Sequence, residues 1–390
     1  MVEKSQYSEI VEACAKFHED RRIESLSKLI PAARLYDYGF RSIVGSLQSV
    51  QQDIWSLYQT SQDERRWYLK QVLGRLNELD TLMQLEVPND YRAITVHFAL
   101  HQEALVSIKT NLEKARSISE EGLEGVYGNF MQAMQSVTEG NGVYVTNWKE
   151  PKQWNVLLVR DVGLRVVKLI YANRHSINLA MIPDRCGTHL HQDTSEVHFS
   201  LEPTDGDQVL GGFRIHVEEP HAIPIKPGEW HAYVENRTSR PHQLLFLTGS
   251  KDLLGWGIIN DRTVTDLSKL SLRKLGSEDL EKVAGALLNK AIADAEYIGS
   301  QSTFSRELIS AASTGGVTLS VVGIPDSWSN KSQDIIHVVA RGTGKLVVLD
   351  NSVDLREGDV FAVPFDISYE LKNEGSSPIV LLGSTFENRI

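Results

Sequence analysis

The sequence predicts an α+β protein in which an N-terminal helical bundle precedes two β-barrel domains joined by a helical connector. Apolar residues recur at helical spacing through the first ~145 residues. From Val143 onward the pattern changes to short β-rich runs with turn residues every ~8–12 positions, which is typical of a sandwich or barrel. The β-rich pattern also repeats within the chain, which indicates that one β unit occurs twice.

Amphipathic helices account for the first segment, residues 1–145. Ser61 followed by Glu64 forms a capping box, which predicts that a helix begins there. The apolar stripe of that helix is Leu69, Val72, Leu73, Leu76, Leu79 and Met83. The stripe of the next helix is Ile94, Phe98, His101, Leu105, Ile108 and Leu112. Because each stripe buries one face of its helix, we expect an antiparallel bundle.

Two β-rich blocks follow the bundle, and their turn and strand residues correspond. At one constant offset and without a gap, Pro227, His231, Asn236 and Pro241 match Pro364, Ser368, Asn373 and Pro378. Between the blocks, residues 277–298 show helical spacing that begins at Ser277. We therefore assign one barrel to residues 146–262, a helical connector to 263–306 and a second barrel to 307–390.

Composition excludes several classes of protein. The 390 residues include 41% hydrophobic and 23% charged residues, which is ordinary for a globular protein. The net charge of −11 and the lack of a basic stripe argue against nucleic-acid binding. The first residues show neither a signal peptide nor a membrane span, and two cysteines cannot form a disulfide framework. We expect a cytoplasmic protein that acts on a small molecule, with a homodimer as one arrangement.

The chemistry-bearing residues lie in the first β block. His189 and His191 are two residues apart, so on a strand both side chains point to the same face. Glu196 follows five residues after His191, and His231 lies on a later strand. Imidazoles and a carboxylate together suit one divalent metal ion such as Fe, Mn, Ni or Zn. Convergence of these four residues predicts a metal site.

These motifs resemble those of the cupin superfamily. Gly187 to His191 with Glu196 fits its HXH(X)4E pattern, and Pro227 to His231 is similar to its second motif. The resemblance implies two jelly-roll barrels and identifies His189, His191, Glu196 and His231 as metal ligands. At the corresponding positions, the second block carries Lys331, Gln333, Asp334 and Ser368. The chain therefore resembles a bicupin with one metal-binding domain and one degenerate domain without metal.

Strand alternation adds two candidate catalytic residues. His198 shares the face of Glu196, and Tyr233 shares the face of His231. Each could move a proton, although His198 could equally be a hydrogen-bond donor that orients Glu196. Side chains that can transfer protons beside a metal ion favour an isomerase, epimerase or lyase that acts on a carbohydrate-like or hydroxy-carbonyl substrate. The run after Glu196 is also similar to that of metal-dependent cupin sugar isomerases.

Two other functions stay open. Many cupins with this ligand set are Fe(II) dioxygenases, which shield reactive intermediates in a dry pocket. A non-catalytic bicupin that binds a small ligand is the third hypothesis.

Elsewhere, His97 and His101 are spaced to bind a metal from one helix, but His101 lies in the apolar stripe, so we expect packed histidines. Cys186 is expected to be a buried bystander.

Overall fold

The computed structural model describes residues 23–82, 91–138, 143–151, 156–159, 162–172, 175–250, 262–331, 334–349 and 351–387. The chain divides into two compact units, residues 1–144 with 152–157, and residues 145–151 with 158–390. Helices form the first unit and antiparallel sheets dominate the second. Across the described ranges, no helix combines the length and the apolar character that crossing a membrane requires.

Five helices are described in the first unit. They are α1 (Ile23–Ser46), α2 (Gln48–Thr60), α3 (Asp63–Leu82), α4 (Tyr91–Ile118) and α5 (Leu123–Thr138). Most residues of the two predicted stripes are buried, namely Leu69, Val72, Leu76, Leu79, Ile94, Phe98, His101, Leu105, Ile108 and Leu112. Met83 lies outside the described residues. Helical periodicity therefore identified the faces that form this core.

Two local predictions in the bundle have different outcomes. The predicted capping box is wrong, because the Ser61 hydroxyl donates to the Leu57 carbonyl at 2.6 Å and Ser61 thus ends α2. The prediction that His101 is packed is confirmed. Its ring stacks on Phe40 with centroids 4.3 Å apart, and neither ring nitrogen has a hydrogen-bond partner. The Nε2 of His97 lies 3.4 Å from Oδ1 of Asp37.

The first β copy is built from two sheets. Its strands are β2 (Val156–Val159), β3 (Leu164–Tyr171), β4 (His175–Ile182), β5 (His189–His191), β6 (Thr194–Ser200), β7 (Gly206–Leu210), β8 (Phe213–Val217), β9 (His221–Ile225), β10 (His231–Asn236) and β11 (His242–Ser250). The connector adds β12 (Arg262–Val264), β13 (Arg273–Leu275) and β14 (Ala286–Leu287). One sheet has the order β14-β9-β6-β11-β4-β3-β2 and the other β12-β5-β10-β7-β8-β13.

The second β copy has the same topology as the first. Its strands are β15 (Phe304–Ile309), β16 (Leu319–Ile324), β17 (Ser327–Lys331), β18 (Ile335–Arg341), β19 (Gly344–Val348), β20 (Asn351–Leu355), β21 (Asp359–Val363), β22 (Ser368–Asn373) and β23 (Ile379–Ser384). The order β21-β18-β23-β16-β15 matches β9-β6-β11-β4-β3, and β17-β22-β19-β20 matches β5-β10-β7-β8. This correspondence confirms the predicted repeat and is consistent with jelly-roll domains.

Equivalent side chains also make equivalent contacts in the two copies. The Asn236 amide donates to the Pro183 carbonyl at 2.8 Å, and the Asn373 amide donates to the Pro325 carbonyl at 2.6 Å. Each bond ties the end of a strand in one sheet to the turn that follows a strand of the other sheet. The repeat is therefore one of structure as well as of sequence.

The two copies exchange outer strands. The strand β1 (Val145–Asn147) precedes the first copy in the chain, yet it pairs with β21 of the second copy. Reciprocally, β14 precedes the second copy and pairs with β9 of the first. The strands β12 and β13 of the connector also join the first copy. Neither copy is therefore a contiguous stretch of the chain.

The connector departs from the continuous helix predicted over residues 277–298. A 3-10 helix spans Ser277–Val283, and Ala284 then takes a left-handed conformation with φ 55°. Such a residue ends a helix because the chain can no longer follow the helical path. After β14, the helix α6 (Leu288–Gly299) begins anew, and a short α7 (Ala311–Thr314) follows β15. Periodicity alone could not reveal this break.

Gly206 in β7 supports a stability prediction. A Cβ atom at this position would overlap the Tyr233 hydroxyl and the Glu235 carbonyl oxygen, whereas one at Gly212 would meet nothing within 4 Å. We expect Gly206→Ala to lower the free energy of unfolding by ~1–3 kcal/mol, as overpacked cores do. Gly212→Ala is the matched control and should change it by less than ~0.5 kcal/mol. Urea denaturation measures both, and equal stabilities would contradict the close approach of β7 and β10.

Candidate metal centre

Three neighbouring strands of the first copy bring the predicted metal ligands together. His189 and His191 lie on β5, Glu196 lies on β6 and His231 lies on β10. Because β5 and β10 are antiparallel with His189 directly opposite His231, these two side chains project from the same face. All four residues are buried, and none is more than 6% exposed.

The side-chain atoms converge on one point. Nitrogens of the three histidines lie within 4.8 Å of one another. One carboxylate oxygen of Glu196 is 3.7 Å from His191 Nε2, and the other is 3.3 Å from His231 Nε2. The structure thus places the four predicted residues in one cluster inside the first copy.

Backbone hydrogen bonds orient two of the imidazoles. The Nδ1–H of His189 donates to the Gly187 carbonyl at 2.7 Å, and that of His231 donates to the Glu229 carbonyl at 3.0 Å. Each Nε2 then carries its lone pair toward the cluster. The Nε2 of His231 is buried and makes no hydrogen bond despite its distance to Glu196. An unsatisfied buried nitrogen costs about 1–3 kcal/mol, and a metal ion would satisfy it, so these residues fit a divalent metal.

The protonation states also suit a cation. Burial lowers the pKa of His189 well below its ordinary value, and the neighbouring His231 and His191 lower it further. Burial alone would raise the pKa of Glu196, but His191, His198 and His231 together hold it well below its usual range. A neutral imidazole beside an ionised carboxylate is the state that a divalent metal requires of its ligands.

His198 contacts the cluster through Glu196. Its Nε2–H donates to Glu196 Oε2 at 3.0 Å, and its side chain is 14% exposed. The ring lies 5.4 Å from that of His231 and 5.9 Å from that of Phe246. Burial lowers the pKa of His198 despite the nearby carboxylate. This geometry is that of a donor which orients Glu196, one of the two roles predicted for it.

The hydroxyl of Tyr233 is bound away from the four-residue cluster. It shares a 2.8 Å hydrogen bond with Thr204, and its ring stacks on His242 with centroids 4.5 Å apart. Burial raises the pKa of Tyr233 to about 12. Its ring lines the cavity beside the cluster, but these contacts do not favour the proton-transfer role that the sequence suggested.

A small, mainly aliphatic cavity adjoins the cluster. Its free volume is about 30 Å³, enough for one or two groups the size of water. The apolar wall consists of Val159, Val162, Leu164, Val166, Ala180, Ile182, Leu244 and Phe246. Cys186 also lines it, but its sulfur accepts the Tyr233 backbone N–H and burial raises the pKa of the thiol to about 11. This supports the prediction of an inert cysteine.

Two basic residues near the site were missed by sequence reasoning. Arg262 lines the cavity from β12, which begins at the last residue of the first block and continues into the connector. Lys168 is buried in β3, and burial lowers its pKa to about 8, although the charge of Glu196 acts in the opposite direction. The position of a lysine within the apolar run of β3 was a sequence signal for Lys168. No spacing pattern in the sequence indicated Arg262.

The second copy requires a correction of register. The predicted equivalence of His231 and Ser368 is wrong, because β10 has a register shift between Tyr233 and Glu235 that inserts one residue. His231 lies opposite Leu210 of β7, and the residue at that place in the second copy is Tyr369 opposite Val348 of β19.

The other equivalences in the second copy shift as well. Asn330 rather than Lys331 takes the place of His189, because it lies opposite Tyr369. Ile335 rather than Asp334 takes the place of Glu196, because it pairs with β21 as Glu196 pairs with β9. Gln333 lies outside the described residues.

A buried hydrogen bond occupies the centre of the second copy. Tyr369 shares a hydrogen bond of 2.9 Å with Nε2 of His337, the residue equivalent to His198. In the described part of the chain, the groups of three or more converging histidines and carboxylates both lie in the first copy. An isoleucine and a tyrosine stand where the first copy has Glu196 and His231.

Comparisons with solved structures return a dioxygenase and a decarboxylase at low similarity. Salicylate 1,2-dioxygenase from Pseudaminobacter salicylatoxidans has a TM-score of 0.47 and 12% identity, over 62% of this chain and 83% of that chain. An adduct of that enzyme with gentisate has a TM-score of 0.42 and 13% identity, over 54% and 68%. A variant of Bacillus subtilis oxalate decarboxylase has a TM-score of 0.41 and 10% identity, over 63% and 78%.

No protein-family model matches the sequence, and no curated protein matches it either. The structural likenesses carry no information about substrate or reaction. The chemistry of this chain therefore follows from the residues of its own site.

Proposed function

We propose that the protein is a metal-dependent enzyme that binds one divalent ion through His189, His191, Glu196 and His231, and that it uses dioxygen to oxidise a small substrate. The observation that supports oxygen chemistry over the other reactions is the aliphatic wall of the adjoining cavity. The second copy, with Ile335 and Tyr369 at the equivalent positions, is proposed to bind no metal.

The cavity wall separates the candidate reactions. A carbohydrate would bring several hydroxyl groups, and each buried hydroxyl without a hydrogen-bond partner costs free energy. Eight aliphatic or aromatic side chains offer no such partners. A dry pocket instead protects reactive oxygen chemistry from water. This favours the Fe(II) dioxygenase over the sugar-type isomerase that the sequence suggested first.

The chain's own residues perform defined tasks in this proposal. The backbone carbonyls of Gly187 and Glu229 fix two imidazoles, and His198 orients Glu196 through its hydrogen bond. A bound divalent ion would supply Lewis acidity and, if it is iron, one-electron chemistry with dioxygen. The apolar wall offers water few hydrogen-bond partners, and the space beside the cluster, about 30 Å³, accommodates only the metal-binding group of a substrate.

Proton transfer by an isomerase, epimerase or lyase is the second candidate. The observation that favours it is His198, whose partly exposed ring adjoins the cluster and could accept a proton. A non-catalytic, ligand-binding bicupin is the third candidate, and the absence of metal-dependent turnover would identify it.

Oxygen consumption distinguishes these functions. We expect the chain loaded anaerobically with Fe(II) to consume dissolved oxygen when a substrate from a panel of small hydroxy acids and phenols is added. His198→Ala should then weaken metal binding by ~10–100-fold, because His198 orients the ligand Glu196, and at saturating metal it should lower the rate by less than ~10-fold. Turnover without oxygen uptake, together with a loss of ~10²-fold or more in His198→Ala, would instead establish general-base proton transfer.

A further inference from the structure

One sheet edge of the second β copy lacks a strand that the first copy has. In the first copy, β12 pairs with the outer edge of β5, and the sheet has the order β12-β5-β10-β7-β8-β13. The equivalent strand of the second copy, β17, begins the order β17-β22-β19-β20. Within the part of the chain that the structure describes, no strand pairs with the other edge of β17. The exposed residues of β17 are Ser327, Ser329, Asn330 and Lys331.

Backbone groups of alternate residues point toward this open edge. At the start of β17, the Asn373 backbone N–H donates to the Asp326 carbonyl at 2.6 Å. Hydrogen-bonded and non-hydrogen-bonded pairs alternate along an antiparallel ladder, so Trp328 and Asn330 also direct their N–H and C=O groups to β22. The residues whose backbone groups point outward are then Ser327, Ser329 and Lys331. An outward row of this kind is a template for another strand.

Little in β17 protects this edge from a further strand. Edge strands are commonly protected by proline, β-bulges or charged side chains. The strand contains no proline, and its pairing with β22 runs in continuous register. Its single charged residue, Lys331, binds Asp366 of the same chain at 2.5 Å. Next to Asp366, Phe365 is 61% exposed, so apolar surface adjoins the open edge.

The edge is complementary to itself in the antiparallel direction. With Ser329 opposite the Ser329 of a partner chain, Lys331 lies opposite Ser327, and every outward N–H and C=O group has a hydrogen-bond partner. This register places no like charges opposite each other, and Lys331 of each chain comes near the exposed Asp326 of the other. Parallel pairing would instead place the two lysines side by side. A twofold pair is also closed, whereas β17 paired with β20 of another chain would leave both edges open to further chains.

We propose that β17 is a homodimer interface. The β17 strands of two chains pair antiparallel about a twofold axis at Ser329 and join their sheets into one continuous sheet. The partner is therefore a second molecule of this chain. This inference does not depend on the proposed metal-dependent function, because β17 carries none of the four proposed metal ligands.

Opposite charges at position 329 test the pairing on the full chain. We expect the unmodified chain to have the mass of a dimer in sedimentation velocity experiments at micromolar concentration. Ser329→Asp and Ser329→Lys each place two like charges directly opposite, so each alone should raise the dissociation constant by ~10-fold or more. An equimolar mixture of the two variants places opposite charges together and should recover the dimer.

Ser352→Asp on β20, at the opposite edge of the same sheet, is the matched control and should leave the dimer intact. Hydrogen exchange of residues 327–331 gives a second readout, because the outward amides of the unmodified chain should exchange more slowly as the chain concentration rises. The inference would be overturned by a monomeric unmodified chain, by a mixture that stays monomeric, or by loss of the dimer in Ser352→Asp. Assemblies larger than a dimer, or a dimer in which residues 327–331 exchange equally fast at all concentrations, would overturn it too.

Discussion

His191→Ala will lose the bound metal ion and, with it, all activity above background. Removing the imidazole leaves three of the four proposed ligands and a buried carboxylate, Glu196, that loses its partner at 3.7 Å. Changes to groups that merely orient metal ligands cost 10–100-fold in affinity, so loss of a ligand itself should cost at least ~10²-fold. Metal content per chain after dialysis, measured by mass spectrometry of the elements, gives the result.

His216→Ala is the matched control for this experiment. His216 belongs to the same β copy, but its side chain is 37% exposed and bonds to the buried Asp207 and the exposed Glu218. The His216→Ala variant should retain one metal ion per chain. Thermal denaturation of both variants separates loss of a ligand from loss of the fold. One full equivalent of metal in a folded His191→Ala chain would rule out the proposed centre.

Acid will destabilise the β unit through histidines that the fold buries in the neutral state, and one such histidine, His101, lies in the helical unit. Burial lowers the pKa of His101, His242 and His337 to about 3 and that of His221 to about 4. Between pH 6.5 and 4 the unfolded chain binds these protons and the folded chain does not. The free energy of unfolding therefore falls as the pH decreases through this window.

The expected size of the acid effect is large. In the unfolded chain the pKa of a histidine is near 6.5. Each such histidine therefore removes about 2 kcal/mol of stability at pH 5 relative to pH 7.5. The three histidines of the β unit together remove about 6 kcal/mol, to which the buried His189 and His198 add. In the helical unit, the loss of about 2 kcal/mol from His101 is opposed by Asp80, because burial raises the pKa of that carboxyl to about 7 and the folded chain therefore binds its proton first. Urea denaturation at the two pH values, followed for each transition, measures them.

His101→Leu tests the assignment of this effect to one residue. The variant removes two ring nitrogens that are buried without hydrogen-bond partners, so it should not reduce stability at pH 7.5 by more than a packing change does. On acidification from pH 7.5 to pH 5, the free energy of unfolding of the helical unit should end about 2 kcal/mol higher, relative to its value at pH 7.5, than in the unmodified chain, while the change in the β unit stays the same. An unchanged pH dependence of the helical unit would show that His101 takes up its proton in the folded state.

Much of the fold could be predicted because the signals are local. The apolar spacing of Leu69, Val72 and Leu76 follows from the helical period, which depends only on neighbouring residues. The convergence of His189 and His191 on one face follows from strand alternation in the same way. The repeat was visible in the sequence because matching turn residues such as Asn236 and Asn373 occur in both blocks. In the structure these two residues make the same turn contacts.

Other features depended on pairing between distant segments. One inserted residue in β10 moved the equivalent of His231 from Ser368 to Tyr369, and no periodicity within either strand reports such a shift. The side chain of Tyr233 points its hydroxyl at Thr204 because of the packing around it. The break at Ala284 allows β14 to pair with β9, which is a contact between remote residues.

The sequence by itself determined the helical stripes and the duplicated β unit, since residue types and short-range periods carry that information. The four residues proposed to bind metal came from the resemblance of their motifs to those of the cupin superfamily. Only the tertiary structure decided which groups surround those residues. Strand register placed Arg262 opposite His191, and packing lined the cavity with aliphatic side chains. Register and packing arise from contacts between residues far apart in the chain, so the apolar wall and the arginine beside the site became visible only in three dimensions.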